Sequence, residues 1–344
     1  MQHSAWKEYR YRLEGVLCAG CAWGIPRLPR RLCLALAHGL GTLAYYLDGA
    51  SRRVALANLA CVFPERSEQE RREIARRSFQ NFARTMLDLF WAPSLTPENW
   101  RRYIEMEGAV EAFQQAGEKS GRVVLCAHWG NFEWVNHAVA FLGAHMTVLA
   151  GNFKNTRLSA IFNGARESSG NTVIAQENSM IRLLKVIKRR GTTGMLVDLT
   201  LRPDQAALPI NAFGRKMCVT FLHAILTQRG GALLFPFDNE PLPDGRCRMT
   251  ISPALALPPD ATLQEIAQAC WDHFEPHIRR RPELYMWSYK HLRYRPSDAA
   301  PEDYPFYASV SQKFERLLAS NAPRFQKNSP GDLTNTPTSS RLLS

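Results

Sequence analysis

Residues 13–25 and 32–47 are apolar, and each run is shorter than the roughly 20 residues a helix needs to cross the hydrocarbon core of a bilayer. Neither predicts a membrane span. The second run carries His38, Gly39 and Gly41, with Arg27, Arg30 and Arg31 before it and Arg52 and Arg53 after it. Positive charge at both ends marks neither side as cytoplasmic, and an apolar helix fringed with arginine suits the headgroup level of an anionic membrane. A buried helix with solvated arginine caps is the alternative. From Ala50 to Trp91 the pattern turns amphipathic: Val54, Leu56, Leu59 and Val62 before Pro64, then Ile74, Phe79, Phe82, Met86, Leu89 and Phe90. Steps of three and four give one buried stripe. Pro64 ends the first helix, Ser67 with Glu70 forms a capping box for the second, and Pro93 and Pro97 mark a linker.

Beyond the linker, short apolar runs (Val123 to Ala127, Thr147 to Ala150, Thr172 to Ala175, Met195 to Val197, Leu233 to Phe235) alternate with helical patterns such as Ser159 to Ser168 and Ile181 to Arg190. This alternation predicts an α/β fold, a mostly parallel sheet flanked by helices, preceded by the apolar and amphipathic helical region. No internal repeat is visible. The segment Pro323 to Ser344 is rich in Pro, Ser, Thr and Asn, the composition of a disordered tail.

Composition narrows the function classes. The 344 residues, 45% of them hydrophobic, can bury a large core, which excludes a disordered or collagen-like chain. Forty-three Lys and Arg against 31 acids give a net charge of +12, so the expected partners are anionic: nucleic acid, a phospholipid surface, a phosphorylated ligand or an acidic carrier protein. Eight scattered cysteines, several in apolar runs, read as reduced thiols of a cytoplasmic protein. Cys18 and Cys21 form a lone C-x-x-C without a second pair, so packing in an apolar helix is expected there. The basic start (Lys7, Arg10, Arg12) before Leu13 mimics a signal peptide, but Glu14 interrupts the apolar run and the segment is read as uncleaved.

The most informative stretch is His128-Trp-Gly-Asn-Phe-Glu133-Trp at the end of the first strand of the alternating region. In one regular helix a five-residue step would put the two side chains about 140° apart. Gly130 permits a tight turn and Asn131 is a good N-cap, which sets His128 in the loop at the strand's C-terminal end and Glu133 in the first turn of a helix. The Glu133 carboxylate is then expected to fix the His128 tautomer, leaving the other ring nitrogen to take a proton from a hydroxyl. A strand-end histidine beside a capping glutamate is the plainer alternative. Ligands of open α/β sheets bind beyond the carboxyl ends of the strands, where this loop lies.

Taken together, Pro26-Arg-Leu-Pro29, Arg52-Arg53 with Asn58-Leu59 and Val62-Phe-Pro-Glu65, the His128-x4-Glu133 block and Pro282-Glu-Leu-Tyr-Met-Trp287 resemble the bacterial lipid A biosynthesis acyltransferases, a family within the glycerolipid acyltransferase superfamily, over roughly residues 25 to 296. The resemblance implies catalytic His128 and Glu133, with Arg166, Asp198, Gly130 and Asn131 binding substrate. Asp198-Leu199 stands where relatives commonly read Asp-Gln, and the aromatic-rich turn after it reads Ile210-Asn-Ala-Phe-Gly214. Implied is transfer of a lauroyl or myristoyl chain from acyl carrier protein to a hydroxyl of a phosphorylated glycolipid at the cytoplasmic face of the inner membrane, without a cofactor. Alternatives are another acceptor, such as a phosphatidylinositol mannoside or lysophospholipid, and a non-catalytic basic lipid-binding protein on the same scaffold. The expected organisation is a membrane-associating helical region at 1–97, an α/β acyltransferase domain at 98–322 and the tail at 323–344.

Two further clusters extend beyond these motifs. His273-x3-His277, with Asp272 and Glu275, resembles a metal pair on a helix, but Pro276 between the histidines is expected to disturb their geometry, so no metal site is assigned. Arg279, Arg280, Arg281, Lys290, His291, Arg293 and Arg295 interleave with Tyr285, Trp287, Tyr289 and Tyr294. Without an RNA-recognition signature this predicts a phosphate- or membrane-facing surface and no nucleic acid.

Overall fold

The computed structural model describes residues 2–151, 153–176 and 179–320; the tail expected at 323–344 lies outside them. Four helices come first: α1 (Gln2–Gly24), α2 (Arg30–Leu47), α3 (Gly49–Val62) and α4 (Glu68–Trp91). Then follow β1 (Ile104–Gly108), α5 (Val110–Lys119), β2 (Arg122–Cys126), α6 (Phe132–Phe141), β3 (Met146–Ala150), α7 (Thr156–Glu167), β4 (Thr172–Ala175), α8 (Ser179–Lys188) and β5 (Thr192–Leu196). The chain continues through β6 (Ala207–Ala212), β7 (Arg215–Thr220), α9 (Leu222–Gly230), β8 (Leu233–Pro241), β9 (Cys247–Ile251), α10 (Leu263–Arg280) and α11 (Gln312–Ser320).

Seven strands form one sheet in the order β1-β9-β8-β2-β5-β3-β4. The five from β8 to β4 run parallel, as the alternating pattern predicts; β9 is antiparallel to β8 and carries β1 alongside it. β9 and β1 and the antiparallel β6–β7 hairpin were not anticipated. Every residue of β2 is buried, because a central parallel strand is covered on both faces. Its side chains alternate between two cores: Val123 and Leu125 join one with α8, α9 and α10, while Val124 and Cys126 join the other with α5 and α6.

α4 connects the two. Its first half places Ile74 and Ala75 in the α10 core and its last turns place Leu87, Phe90 and Trp91 in the α6 core. The expected capping box opens it, with Ser67 accepting from the Glu70 amide while Glu70 accepts from the Ser67 amide. α2 lies against α4 along Cys33, Ala37, Gly41 and Tyr45; a methyl group on Gly41 would fall 2.4 Å from the Gln80 Cα, so the two helices touch backbone to backbone. Residue 97 therefore marks a change of sequence pattern, not a gap in packing. No described helix is long and apolar enough to cross a membrane. Leu32, Leu36, Leu40, Leu43 and Leu47 of α2 and Leu13, Val16, Leu17 and Trp23 of α1 are exposed.

Candidate active site

β2 ends at Cys126, and the register that pairs it with β5 sets Cys126 beside Leu196. Two residues further along the same parallel register, His128 meets Asp198. The His128 Nδ1 lies 2.9 Å from Asp198 Oδ1, and the His128 amide donates to Oδ2 at 3.1 Å. Asp198 is an acceptor only, so Nδ1 carries the proton in the neutral ring and Nε2 is left as a lone pair with no partner among the described residues. Burial alone would raise the Asp198 pKa; the His128 imidazole and amide outweigh it and hold the carboxyl below its ordinary value.

This overturns the expected pairing of Glu133 with His128. Glu133 does open α6, but its carboxylate takes two hydrogen bonds from Arg166, Nε to Oε2 at 3.0 Å and Nη2 to Oε1 at 2.6 Å. A planar guanidinium satisfies both carboxylate oxygens at once, and the pair is mostly buried. The Asn136 side-chain Nδ2 also donates to the Arg166 carbonyl at 2.6 Å, which ties the end of α7 to α6. The four charged or ionisable residues singled out in the sequence thus form two couples, His128 with Asp198 and Glu133 with Arg166.

Gly130 and Asn131 build the turn between them. Gly130 has φ +64°, and a Cβ there would lie 1.7 Å from the Asn239 carbonyl oxygen, so only glycine fits. Asn131 caps α6 by accepting from the Trp134 amide, and its Nδ2 donates to Asp88 Oδ2 at 2.8 Å. Asp88 is nearly inaccessible, and its other oxygen accepts from Arg30 at 2.5 Å; the Arg30 guanidinium sits 4.8 Å from the ring centres of both Trp91 and Trp134. Sequence reasoning missed Asp88. Its one signal was an acid inside the apolar run Met86 to Trp91.

The distant motifs converge on this loop. The His128 carbonyl accepts from the Met286 amide at 3.0 Å, and the Gly130 amide donates to the Leu284 carbonyl at 2.9 Å. Asn58 of α3 donates to the carbonyls of Trp287 and Tyr289, each at 2.8 Å. Behind Asp198, His291 Nε2 lies 2.9 Å from the Met286 carbonyl and must donate there, which makes Nδ1 the acceptor for the Tyr285 hydroxyl at 3.1 Å. Burial holds His291 in this neutral form. The stretch after residue 279 is divided: its aromatics reach inward, while Arg279, Arg280 and Lys290 stay exposed. Tyr285, Trp287 and His291 are core residues, Arg281 pairs with Glu240 and Glu283, and Arg279 pairs with Glu275.

Pro276 also behaves otherwise than expected. α10 runs unbroken through it, and His273 and His277 stack with ring centres 5.1 Å apart, both against Asp238. All eight cysteines are free thiols.

The site is thus a histidine oriented by a carboxylate at the carboxyl end of the central strand of a mostly parallel sheet. The family model described as bacterial lipid A biosynthesis acyltransferase matches residues 5–294, and the chain belongs to that family and is an acyltransferase. It is 24% identical over 291 residues to the lipid A biosynthesis lauroyltransferase of Escherichia coli K12, covering 83% of this chain and 92% of that protein. It is 26% identical over 295 residues to the lipid A biosynthesis myristoyltransferase of the same organism (81% and 86% covered), and 22% identical over 273 residues to a lipid A biosynthesis acyltransferase of Haemophilus influenzae (78% and 84%).

Proposed function

We propose that this protein moves a fatty acyl chain from acyl carrier protein to a hydroxyl of a lipid A precursor, with His128 as general base, at the cytoplasmic face of the inner membrane. The observation that carries the reading is the His128–Asp198 couple, which leaves Nε2 as an unengaged proton acceptor at the ligand-binding edge of the sheet. Nε2 takes the acceptor hydroxyl's proton as its oxygen bonds to the thioester carbonyl carbon; the C–S bond then breaks, and the departing thiolate takes the proton from the imidazolium. Asp198 stabilises that imidazolium without being protonated. The tetrahedral oxyanion needs donors, and the Phe132 and Glu133 amides that open α6 have no hydrogen-bond partner among the described residues. Arg166 keeps N–H groups beyond the two given to Glu133, enough for a phosphate of the acceptor.

Membrane association is supported by the leucine face of α2 and by the net charge of +12, which suits lipid phosphates and an acidic carrier alike. Purified full-length protein given lauroyl- or myristoyl-acyl carrier protein should add one ester-linked chain to a phosphorylated lipid A precursor, read by mass spectrometry, and leave glycerol-3-phosphate untouched. His128→Ala should lose at least ~10²-fold in turnover, the lower range for a positioned general base. A folded His128→Ala protein with near-normal rates removes the base from the mechanism. Acylation confined to a lysophospholipid or an inositol mannoside removes the lipid A precursor while leaving the chemistry.

A further inference from the structure

We propose that Asp238, His273 and His277 form a binding site for one divalent transition-metal ion, zinc by the chemistry of the donors, clamping α10 to β8 behind the catalytic loop. Asp238 projects from β8, while His273 and His277 lie one turn apart on α10 with their rings nearly parallel. One ligand atom from each residue lies within 4.8 Å of the others. Donors held about 2.1 Å from a tetrahedral zinc ion lie roughly 3.4 Å apart, a spacing that side-chain torsions can reach from these positions. Two imidazoles and a carboxylate are a donor set of zinc enzymes, and the fourth position is left for water.

The protein alone does not satisfy this cluster. His273 Nε2 is hydrogen-bonded to Asp238 Oδ2 at 3.1 Å, but Asp238 Oδ1 and His277 Nδ1, also 3.1 Å apart, are not joined by a hydrogen bond of acceptable direction. Both atoms are buried, without another partner, and Asp238 is only 7% exposed. An acceptor oxygen and a ring nitrogen facing each other with no proton on the line between them is an arrangement that a cation resolves. The His277 side chain, 27% exposed, leaves a route in from solvent. The Trp129 ring, adjacent in sequence to His128, packs edge-on against His277 at 6.3 Å.

The test uses full-length protein with any affinity tag removed, stripped with a chelator and dialysed, then titrated with Zn²⁺ while bound metal is measured by elemental analysis and the melting temperature is followed. Wild type should bind one equivalent and melt higher when loaded, and Co²⁺ in its place should give the visible absorption of a low-symmetry site. His273→Gln and His277→Gln should each weaken binding by ~10-fold or more, at least the loss seen when only a supporting residue of a metal site is removed. The exposed His145→Gln should bind as wild type. Asp238→Asn adds a third arm, but the histidine variants carry the test if that buried change prevents folding. Absence of saturable binding in wild type, or wild-type affinity in either histidine variant, would mean that the three residues are only a hydrogen-bonded cluster and overturn the proposal.

Discussion

Asp198 spends both oxygens on one residue, Oδ1 on the His128 ring and Oδ2 on its amide. It thereby fixes the histidine's tautomer and its position together. Asp198→Asn keeps the shape but removes the charge that stabilises imidazolium and puts an N–H where one acceptor stood. Turnover should fall by ~10² to 10⁴, with the acceptor KM little changed. Glu133→Gln loosens the grip on Arg166 and should cost ~10- to 10²-fold, weighted toward KM, because one charge-assisted contact contributes about 1.5 to 3 kcal/mol. Steady-state rates of both variants, with folding checked by circular dichroism, decide between them; a larger kcat loss in Glu133→Gln returns the orienting role to Glu133. The spacing of His128 and Glu133 was readable because a strand end, a glycine turn and an asparagine cap are local features. The partner of His128 was not, because 70 residues separate it from Asp198 and only the pairing of β2 with β5 brings them together.

α2 shows what periodicity conveys and what it withholds. Its apolar run predicted a helix too short to span a bilayer, and the helix is there. With apolar residues on most sides, nothing in the run said which face would be buried. Packing on α4 buries the small residues Cys33, Ala37 and Gly41, the last allowing the close approach at Gln80, and leaves the leucines facing outward. Replacing Leu36, Leu40 and Leu43 together by Lys should leave the melting temperature near that of wild type. Binding to neutral vesicles should fall by ~10²-fold or more, since a buried leucine side chain contributes about 1.5 to 3 kcal/mol. Added salt should loosen wild-type protein from anionic vesicles only in part, because screening acts on the arginines and not on the leucines. Sedimentation with vesicles measures both, and undiminished binding by the triple variant would show that this face is not the membrane contact.

Across the whole molecule, stability should fall as the medium is acidified below pH 6.5. Burial lowers the pKa of both His137 and His223 from 6.5 to about 4. Between those values the unfolded chain takes up protons that the folded chain refuses, so each histidine costs stability as pH drops and the loss levels off near pH 4, at about 3 kcal/mol per residue. His223, with both ring nitrogens buried and unpartnered, is the cleaner test. His223→Leu should flatten the dependence of melting temperature on pH between 6.5 and 4.5 without loss of stability at pH 7.5, and an unchanged slope would refute the assignment. The sequence alone determined the alternation of strands and helices, the capping of α4, the turn at Gly130 and the placing of His128 in the loop after β2, because each rests on residues within a few positions of one another. The tertiary structure alone decided that Asp198 pairs with His128, that Asp88 holds Asn131, that Tyr285 and Trp287 are core, and that His273 and His277 face Asp238. Those contacts depend on strand register and on which faces of the helices meet, and neither is set by the order of residues within any one element.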